Sequence, residues 1–417
     1  MVEETFKYAA TPDCDETAAA AWSDIQTCRE VYNHALTQEY RPRPDYDKPS
    51  YREMQNKITA WKDRWPEWST AYSKCLQMAV RRIKQSESVL ESLQARGYGV
   101  GRLKWKPPHE FRSIVYNQSG FDVANNTDRT NHAIVNFSKI GDFHLNYHRS
   151  LPDDGDITQV ILKKEKTGDW TVSILVDYDP EYPENPAVED IAPEDTVGID
   201  LGITKFIYDS DGRSFESLDD QCDRDRIERR HRNLSRKEHG SNNWEKQRRG
   251  VAKIKRRIKR RVEDFQHKLT TWLVTTYDAV FVEDLNVSGM LQQRGNARNK
   301  QDAAWRGFIE MLEYKGDLYG THVVQVGPAG TTKECAECGV ETDKPLWVRE
   351  HSCPSCGFEA DRDANASYNV LFRGLQELGL GQAESTPVET ATAVETDGEQ
   401  PSSVPVSRVV ETGSLGA

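Results

Sequence analysis

CPSCGFEADRDANASYN, Cys353 to Asn369, sets a Cys-x-x-Cys pair a few residues ahead of a cluster of carboxylates. Such a pair usually builds a metal-held structural knob, whereas clustered acids either face water or do chemistry. Upstream, Cys335-Ala-Glu-Cys338 is separated by fourteen residues from Cys353-Pro-Ser-Cys356. The pattern C-x₂-C-x₁₄-C-x₂-C closes a tetrahedral S₄ site, with each pair on a turn and a short hairpin between them. Gly339 and Gly357 each follow a pair and can relax the turn. Four thiolates fill the coordination sphere, so the one Zn²⁺ expected at Cys335, Cys338, Cys353 and Cys356 is structural, not catalytic. The competing reading is a set of unmetallated or redox-active thiols.

Three carboxylates form the second constellation. Asp200 ends the apolar strand of VGIDLG, where an ordinary core would carry another Val or Ile, and Glu283 ends the apolar strand of AVFVEDL. Asp363 lies in DRDANASYN, the opening turn of the last predicted helix, with Asp361 as its rival for the same place. Two strand-end acids can lie side by side, and an incoming helix can add a third. Clustered carboxylates repel one another unless hard cations sit between them, and Mg²⁺ prefers such oxygen ligands. Taken singly, each acid could be a strand-end cap or a surface charge.

Composition narrows the class of partner. The chain has 417 residues and a net charge of −12, yet from Asp223 to Arg261 seventeen Lys/Arg face five Asp/Glu, a local charge of +12. A basic band in an acidic protein is the footprint of a polyanion site, and Lys253, Lys255, Arg256, Arg257, Lys259, Arg260 and Arg261 are its densest part. The bland alternative is a solvated helix face. The acidity elsewhere is consistent with a high-salt cytoplasm. No apolar run reaches the ~18 residues of a membrane span, and MVEETFKYAATPD lacks the order of a secretion signal. Scattered Cys14, Cys28, Cys75 and Cys222 suit a reducing, cytoplasmic setting better than a disulfide scaffold.

Periodicity divides the chain. Thr17 to Gln94 reads as helical until RGYGVG breaks it, and runs such as HAIVNF, FHLNYH, TQVILKKE and WTVSILVDY read as strands. Trp22, Trp61, Trp65, Trp68 and Trp105 could stack on bases, although core packing suits most of them better. PEYPENPAVEDIAPED, Pro180 to Asp195, reads as a linker. TVGIDLGITKFIYDSDGRSFES then suggests three short strands with DSDG as a hairpin turn. On the basic helix that follows, Val251, Ile254, Ile258, Val262, Phe265, Leu269 and Trp272 step by three and four, so one stripe packs inward. The later strand–helix–strand alternation indicates an α/β sheet. The Ser-, Thr-, Pro- and Glu-rich stretch from Gly381 is expected to be disordered.

These residues carry a family resemblance. GIDLG, VFVEDL about eighty residues later, the cysteine pairs and CGFEADRDANASYNV resemble the RuvC-type nuclease core of TnpB proteins. These are the OrfB "transposases" of bacterial and archaeal insertion sequences, related to type V CRISPR effectors. AWRGFIEMLEYKGDLYG followed by VGPAGTTKECAECG is similar to the family's helix, strand and ribbon approach, with GPAGTTKEC departing from its more common Pro-x-x-Thr-Ser. The match covers roughly Val197 to Leu378, and the N-terminal half matches only in layout.

The resemblance implies an α/β RNase H-like fold with an inserted zinc ribbon, preceded by a helical unit and a β-barrel-like unit. It implies an RNA-guided, Mg²⁺-dependent DNA endonuclease, prokaryotic and cytoplasmic, whose partners are a guide RNA and double-stranded target DNA. By the motif match Asp200, Glu283 and Asp363 are the catalytic acids holding two Mg²⁺, the D-x-N-A context favouring Asp363 over Asp361. The expected organisation is a nucleic-acid-recognition region over 1–190, the nuclease core over 191–333, the ribbon over 334–358, the last catalytic helix over 359–380 and the tail over 381–417. Two rival functions remain: a DNA-binding regulator with a dead or weak nuclease, and a cut-and-paste transposase.

Overall fold

The computed structural model describes residues 2–40, 49–125, 131–202, 205–218, 221–284, 299–343 and 348–380. The expected tail over 381–417 lies outside these. The chain forms two compact units, residues 1–180 with 237–252, and residues 181–236 with 253–417.

The first unit opens on a strand absent from the sequence reading. β1, Val2–Pro12, buries Phe6, Tyr8 and Ala10 on one face, as a period of two requires. It pairs antiparallel with β7, Trp170–Tyr178, in register from Val2–Tyr178 to Ala10–Trp170. Between them come α1 (Asp15–His34), α2 (Tyr51–Arg64) and α3 (Ser73–Ala95). The strands β2 (Ser113–Asn117), β3 (Phe121–Asn125), β4 (His132–Phe137), β5 (Gly141–Asn146) and β6 (Asp156–Lys164) follow. The helical stretch is thus broken before RGYGVG is reached. Ser50 and Glu53 form a capping box that starts α2 afresh, and Pro66 opens a short 3₁₀ turn after Trp65.

The seven strands pair in the order β2-β6-β7-β1-β5-β4-β3. The Tyr116 hydroxyl on end strand β2 donates to the Ser138 carbonyl just beyond β4 at 3.0 Å, so the two ends of the sheet approach each other. Trp61 and Trp68 are buried, and Trp22 and Trp65 pack half-buried on the same core. Trp105 instead is 57% exposed.

The second unit holds a five-stranded sheet of order β10-β9-β8-β11-β12. Its strands are β8 (Thr196–Leu201), β9 (Lys205–Asp209), β10 (Ser214–Glu216), β11 (Ala279–Glu283) and β12 (His322–Val326). β8, β11 and β12 are parallel, whereas β9 and β10 return antiparallel through the DSDG turn, whose Gly212 has φ +81°. Every residue of β8 and β11 is buried, and apart from Thr196 both read as near-continuous apolar runs, in which Asp200 and Glu283 are the only charged residues. The helices are α4 (Gln221–Ser235), α5 (Asn242–Thr276), α6 (Asn299–Tyr319) and α7 (Arg362–Leu378).

α7 lies directly on the sheet. A Cβ on Gly198 of β8 would meet the Ser367 carbonyl oxygen and sit 2.5 Å from the Leu371 amide nitrogen. A Cβ on Gly374 of α7 would strike the Phe281 ring of β11. Small residues on both sides therefore bring helix backbone against strand backbone. The Pro180–Asp195 stretch is bound rather than free: the Asp278 amide donates to the Asp195 carbonyl at 2.8 Å, and the His322 ring lies 2.8 Å from the Pro186 carbonyl.

Candidate functional site

The sheet ends and the start of α7 bring three acids into one neighbourhood. Asp200, Glu283 and Asp363 are all buried, at 6%, 6% and 7% exposure. Asp200 feels both others: burial, reinforced by the like charges of Glu283 and Asp363, holds its carboxyl well above the usual carboxylate range, with Arg362 and Arg349 opposing. Burial also raises Glu283, tempered by a hydrogen bond from Thr331 and by Arg373.

The two aspartates of DRD divide their work. Asp361 is the N-cap of α7, and its carboxylate accepts from the Asp363 amide at 2.8 Å. That bond leaves Asp363 in the first turn, close enough for its charge to act on Asp200. The Arg349 guanidinium donates to both its carboxylate oxygens, at 3.1 and 3.3 Å.

The same helix carries the lead-in to the cysteine cluster. Asn365 and Asn369, four residues apart and so on one helix face, both donate from Nδ2 to the Glu334 carbonyl at 2.7 Å. Asn369 also reaches the Thr331 carbonyl at 2.8 Å, and the Ala336 amide donates to Asn365 Oδ1 at 3.0 Å. The Thr331 hydroxyl donates onward to Glu283. Thr331, Arg349, Asn365 and Asn369 were not singled out from sequence. The only hint was the departure of GPAGTTKEC, which contains Thr331, and the four-residue spacing of the asparagines.

The four cysteines converge as their spacing requires. Their Sγ atoms all lie within 4.8 Å of one another, and among the described residues no other group of three or more His, Cys, Asp or Glu does so. The Sγ separations are 3.7 Å for Cys335–Cys356 and 3.5 Å for Cys338–Cys353. A tetrahedron with Zn–S bonds of about 2.3 Å has S···S edges of about 3.8 Å, so the cluster could hold a zinc ion. Each pair sits on a tight turn, Gly339 donating to the Cys335 carbonyl and Gly357 to the Cys353 carbonyl, both with positive φ. Backbone amides, that of Cys356 foremost, hold the Cys353 thiol down at about 6, whereas burial and the neighbouring sulfurs push Cys335 and Cys356 up, so the cluster on its own favours a single thiolate. The hairpin strands β13 (Glu350–Ser352) and β14 (Glu359–Asp361) run straight into α7.

The basic segment is two helices, not one. Ser241 ends the turn after α4 and its hydroxyl accepts from the Trp244 amide at 3.2 Å. On α5, Lys253, Lys255, Arg257, Lys259, Arg260 and Arg261 are exposed and Arg256 is half-buried. Lys259 pairs with Glu263, and Arg261 with Asp223 of α4. The inward stripe is only partly realised: Val251, Phe265 and Leu269 are buried, while Ile254, Ile258 and Val262 are half-buried. On α4, Ile227 and Leu234 are also only half-buried. Two narrow apolar stripes cannot fully cover each other in a helix pair this polar.

With that geometry in hand, comparison with known proteins is specific. The family described as "Probable transposase" (OrfB_IS605) matches residues 173–294, and the "Cas12f1-like, TNB domain" family matches residues 305–370. A "Putative RNA-guided DNA endonuclease" of Streptomyces pristinaespiralis is 34% identical over 390 residues, covering 91% of this chain and 92% of that protein. The "Putative RNA-guided DNA endonuclease InsQ" of Escherichia coli (strain K12) is 28% identical over 375 residues, covering 85% and 88%. Among solved structures, one described as "Cryo-EM structure of the Cas12f1-sgRNA-target DNA complex" aligns with a TM-score of 0.49 at 15% identity, covering 85% of this chain and 81% of that one. Likeness to the Streptomyces protein along nearly the whole of both chains, with both family matches, decides the kinship: this chain belongs to the TnpB/OrfB family of insertion-sequence proteins.

Proposed function

We propose that the protein is a transposon-encoded, RNA-guided DNA endonuclease whose core is RNase H-like and whose acids Asp200, Glu283 and Asp363 hold two Mg²⁺ ions. The observation that carries this reading is the burial of three carboxylates from two parallel strand ends and one helix start, with Asp200 raised by burial and by the charge of its two neighbours. Such a donor set suits hard cations, which neutralise the mutual repulsion. When bound, the cations supply Lewis-acid activation of water and stabilise charge developing on the scissile phosphate. The strand order, antiparallel on one side of β8 and parallel on the other, supports the RNase H-like reading. The names of the relatives support guidance by RNA.

The chain's own residues do the holding. Asp200 would hold the cations as a carboxylate, whose charge burial and its acidic neighbours disfavour in their absence. Thr331 fixes the orientation of Glu283 through its hydroxyl, and Asp361 fixes the start of α7 and with it Asp363. Arg349 neutralises Asp363, a role that bound cations would take over. The exposed cations of α5 are suited to phosphates without reading bases. Target choice would fall to guide–DNA pairing.

The test compares Asp200→Ala, Glu283→Ala, Asp363→Ala and Asp361→Asn for cleavage of a plasmid by the RNA-loaded protein in Mg²⁺. Because the acids act as a unit, each single alanine should be about as inactive as all three together, while target binding persists. Asp361→Asn keeps the cap and should still cut. Normal cutting by Asp200→Ala and Asp363→Ala would overturn the role given to these acids, and an RNA-loaded wild-type protein that binds target without cutting would leave the DNA-binding regulator.

A further inference from the structure

A cavity of about 190 Å³ lies in the first unit, lined by Trp22, His109, Arg112, Lys164, Arg248 and Arg249, with Glu245 its only acid. Four cations against one carboxylate leave a surplus of three positive charges. Glu245 is already committed to Arg248, at 2.8 Å. Arg249 is exposed and makes no ion pair among the described residues, and neither does Lys164. Aromatic faces hold the cations instead. Lys164 Nζ lies 4.8 Å from the Trp22 ring centre and 4.9 Å from that of Trp170, and Arg112 sits 5.8 Å from Trp22.

Arg112 is fixed in direction. Its Nε donates to the His109 carbonyl, and its Nη1 to the carbonyls of Lys164 and Glu165, at 2.8, 3.2 and 3.0 Å. Its Nη2 has no acceptor among the described residues. Burial and the like charges around them lower the proton affinities of Arg112 and Lys164 alike. Beside the cavity, His239 stands 4.3 Å from Trp244 and 6.3 Å from His109, ring centre to ring centre.

Preorganised cations that repel each other, with donors left over, are the chemistry that recognises an anion. A space of this size admits a phosphate group with part of its sugar. The neighbouring rings offer stacking surface of the kind single strands use. We infer that this cavity binds a phosphodiester of a single-stranded nucleic acid, with Arg112, Lys164 and Arg249 on the phosphate. The inference rests on the nucleic-acid reading above but concerns residues other than the three acids and Lys253 to Arg261.

The experiment measures binding of fluorescein-labelled 20-nucleotide RNA and DNA of one mixed sequence by anisotropy over a KCl series. Arg112→Gln, Lys164→Gln and Arg249→Gln should each weaken binding and flatten the slope of log K against log salt by roughly 0.7. Lys164→Arg keeps the charge and should keep the slope. Strands carrying 5-iodouracil should photo-crosslink to Trp22, His109 or Trp244, mapped by mass spectrometry. An effect confined to RNA assigns the site to the RNA strand, one confined to DNA assigns it to the DNA strand, and an effect on both assigns it to either strand. Unchanged slopes with no cross-link to these rings overturn the site. Cleavage is not read here, so failure of the cavity and failure of the nuclease reading remain separable.

Discussion

The hydroxyl of Thr331, in the loop that leads to the cysteine cluster, donates to the carboxylate of Glu283 at the end of β11. One side chain therefore joins the ribbon's approach to the acid site, and the Thr331 carbonyl is in turn held by Asn369 of the helix that carries Asp363.

Thr331→Val keeps the shape and removes the donor. Outer-shell partners of metal ligands are typically worth 10–100-fold in metal affinity or activity. The Mg²⁺ concentration for half-maximal cleavage should rise about tenfold or more, while binding of RNA and target DNA stays at the wild-type level. A purely structural residue would lower the fraction of folded protein without moving the Mg²⁺ midpoint. An unmoved midpoint thus counts against the positioning role.

Cys353→Ser should empty the ribbon of zinc, measured by elemental analysis, and lower thermal stability. Chelation of the wild-type protein should abolish cleavage, and Mg²⁺ alone should fail to restore it until Zn²⁺ is added back. The reason is geometric: Asn365 and Asn369 grip the ribbon's lead-in from the same helix whose first turn carries Asp363. Zinc-free wild-type protein that cuts normally would refute this linkage.

Gly198→Ala places a methyl group against the backbone of α7 at Ser367 and Leu371. Backbone cannot swing aside as a side chain can, so the substitution should cost about 1–3 kcal/mol or more in unfolding free energy. It should also reduce cleavage, since the shift is forced on the helix carrying Asp363. Gly212→Ala, in the open DSDG turn, meets nothing within 4 Å but retains a strained positive φ. It should therefore lower stability without a matching loss of cutting. Denaturant melts and cleavage rates of the two variants make the comparison.

Asp24 of α1 is buried, its Oδ2 without a hydrogen-bond partner among the described residues, and burial raises its carboxyl from 3.8 to about 7. The folded chain therefore holds this proton more tightly than the unfolded one. The associated stability is fully present below about pH 4, and it is lost as pH rises through about 7. Asp24→Asn cannot ionise, so it should flatten this slope and be the more stable protein at pH 8, by up to ~4 kcal/mol. Parallel stability curves for the two proteins from pH 5 to 8 would count against a raised carboxyl.

What was legible in the sequence follows from locality. Asp200 and Glu283 stood out because Val197, Ile199 and Leu201 of β8 and Ala279 to Val282 of β11 are apolar, so one acid at or near each strand end breaks the run. The cysteines were legible because metal geometry fixes their spacing. β1 was not, although Phe6, Tyr8 and Ala10 alternate as a strand should, because its partner β7 lies more than a hundred and fifty residues on. Thr331, Asn365 and Asn369 act through contacts between segments, and single polar residues in loops and on helices look alike until folded. The cavity at Arg112 and Lys164 draws on four separate stretches of chain, which no window along the sequence brings together.

The close seating of α7 on β8 and β11 has a consequence for synthesis. A ribosome delivers Asp200 and Glu283 well before Asp363, and the helix bearing Asp363 is also the cover over Gly198 and Phe281. A chain interrupted anywhere before residue 362 therefore lacks an acid and leaves a hydrophobic sheet face bare. Truncated products should be both inert toward DNA and poorly folded, so premature termination yields material for proteolysis in place of an unguided cutter.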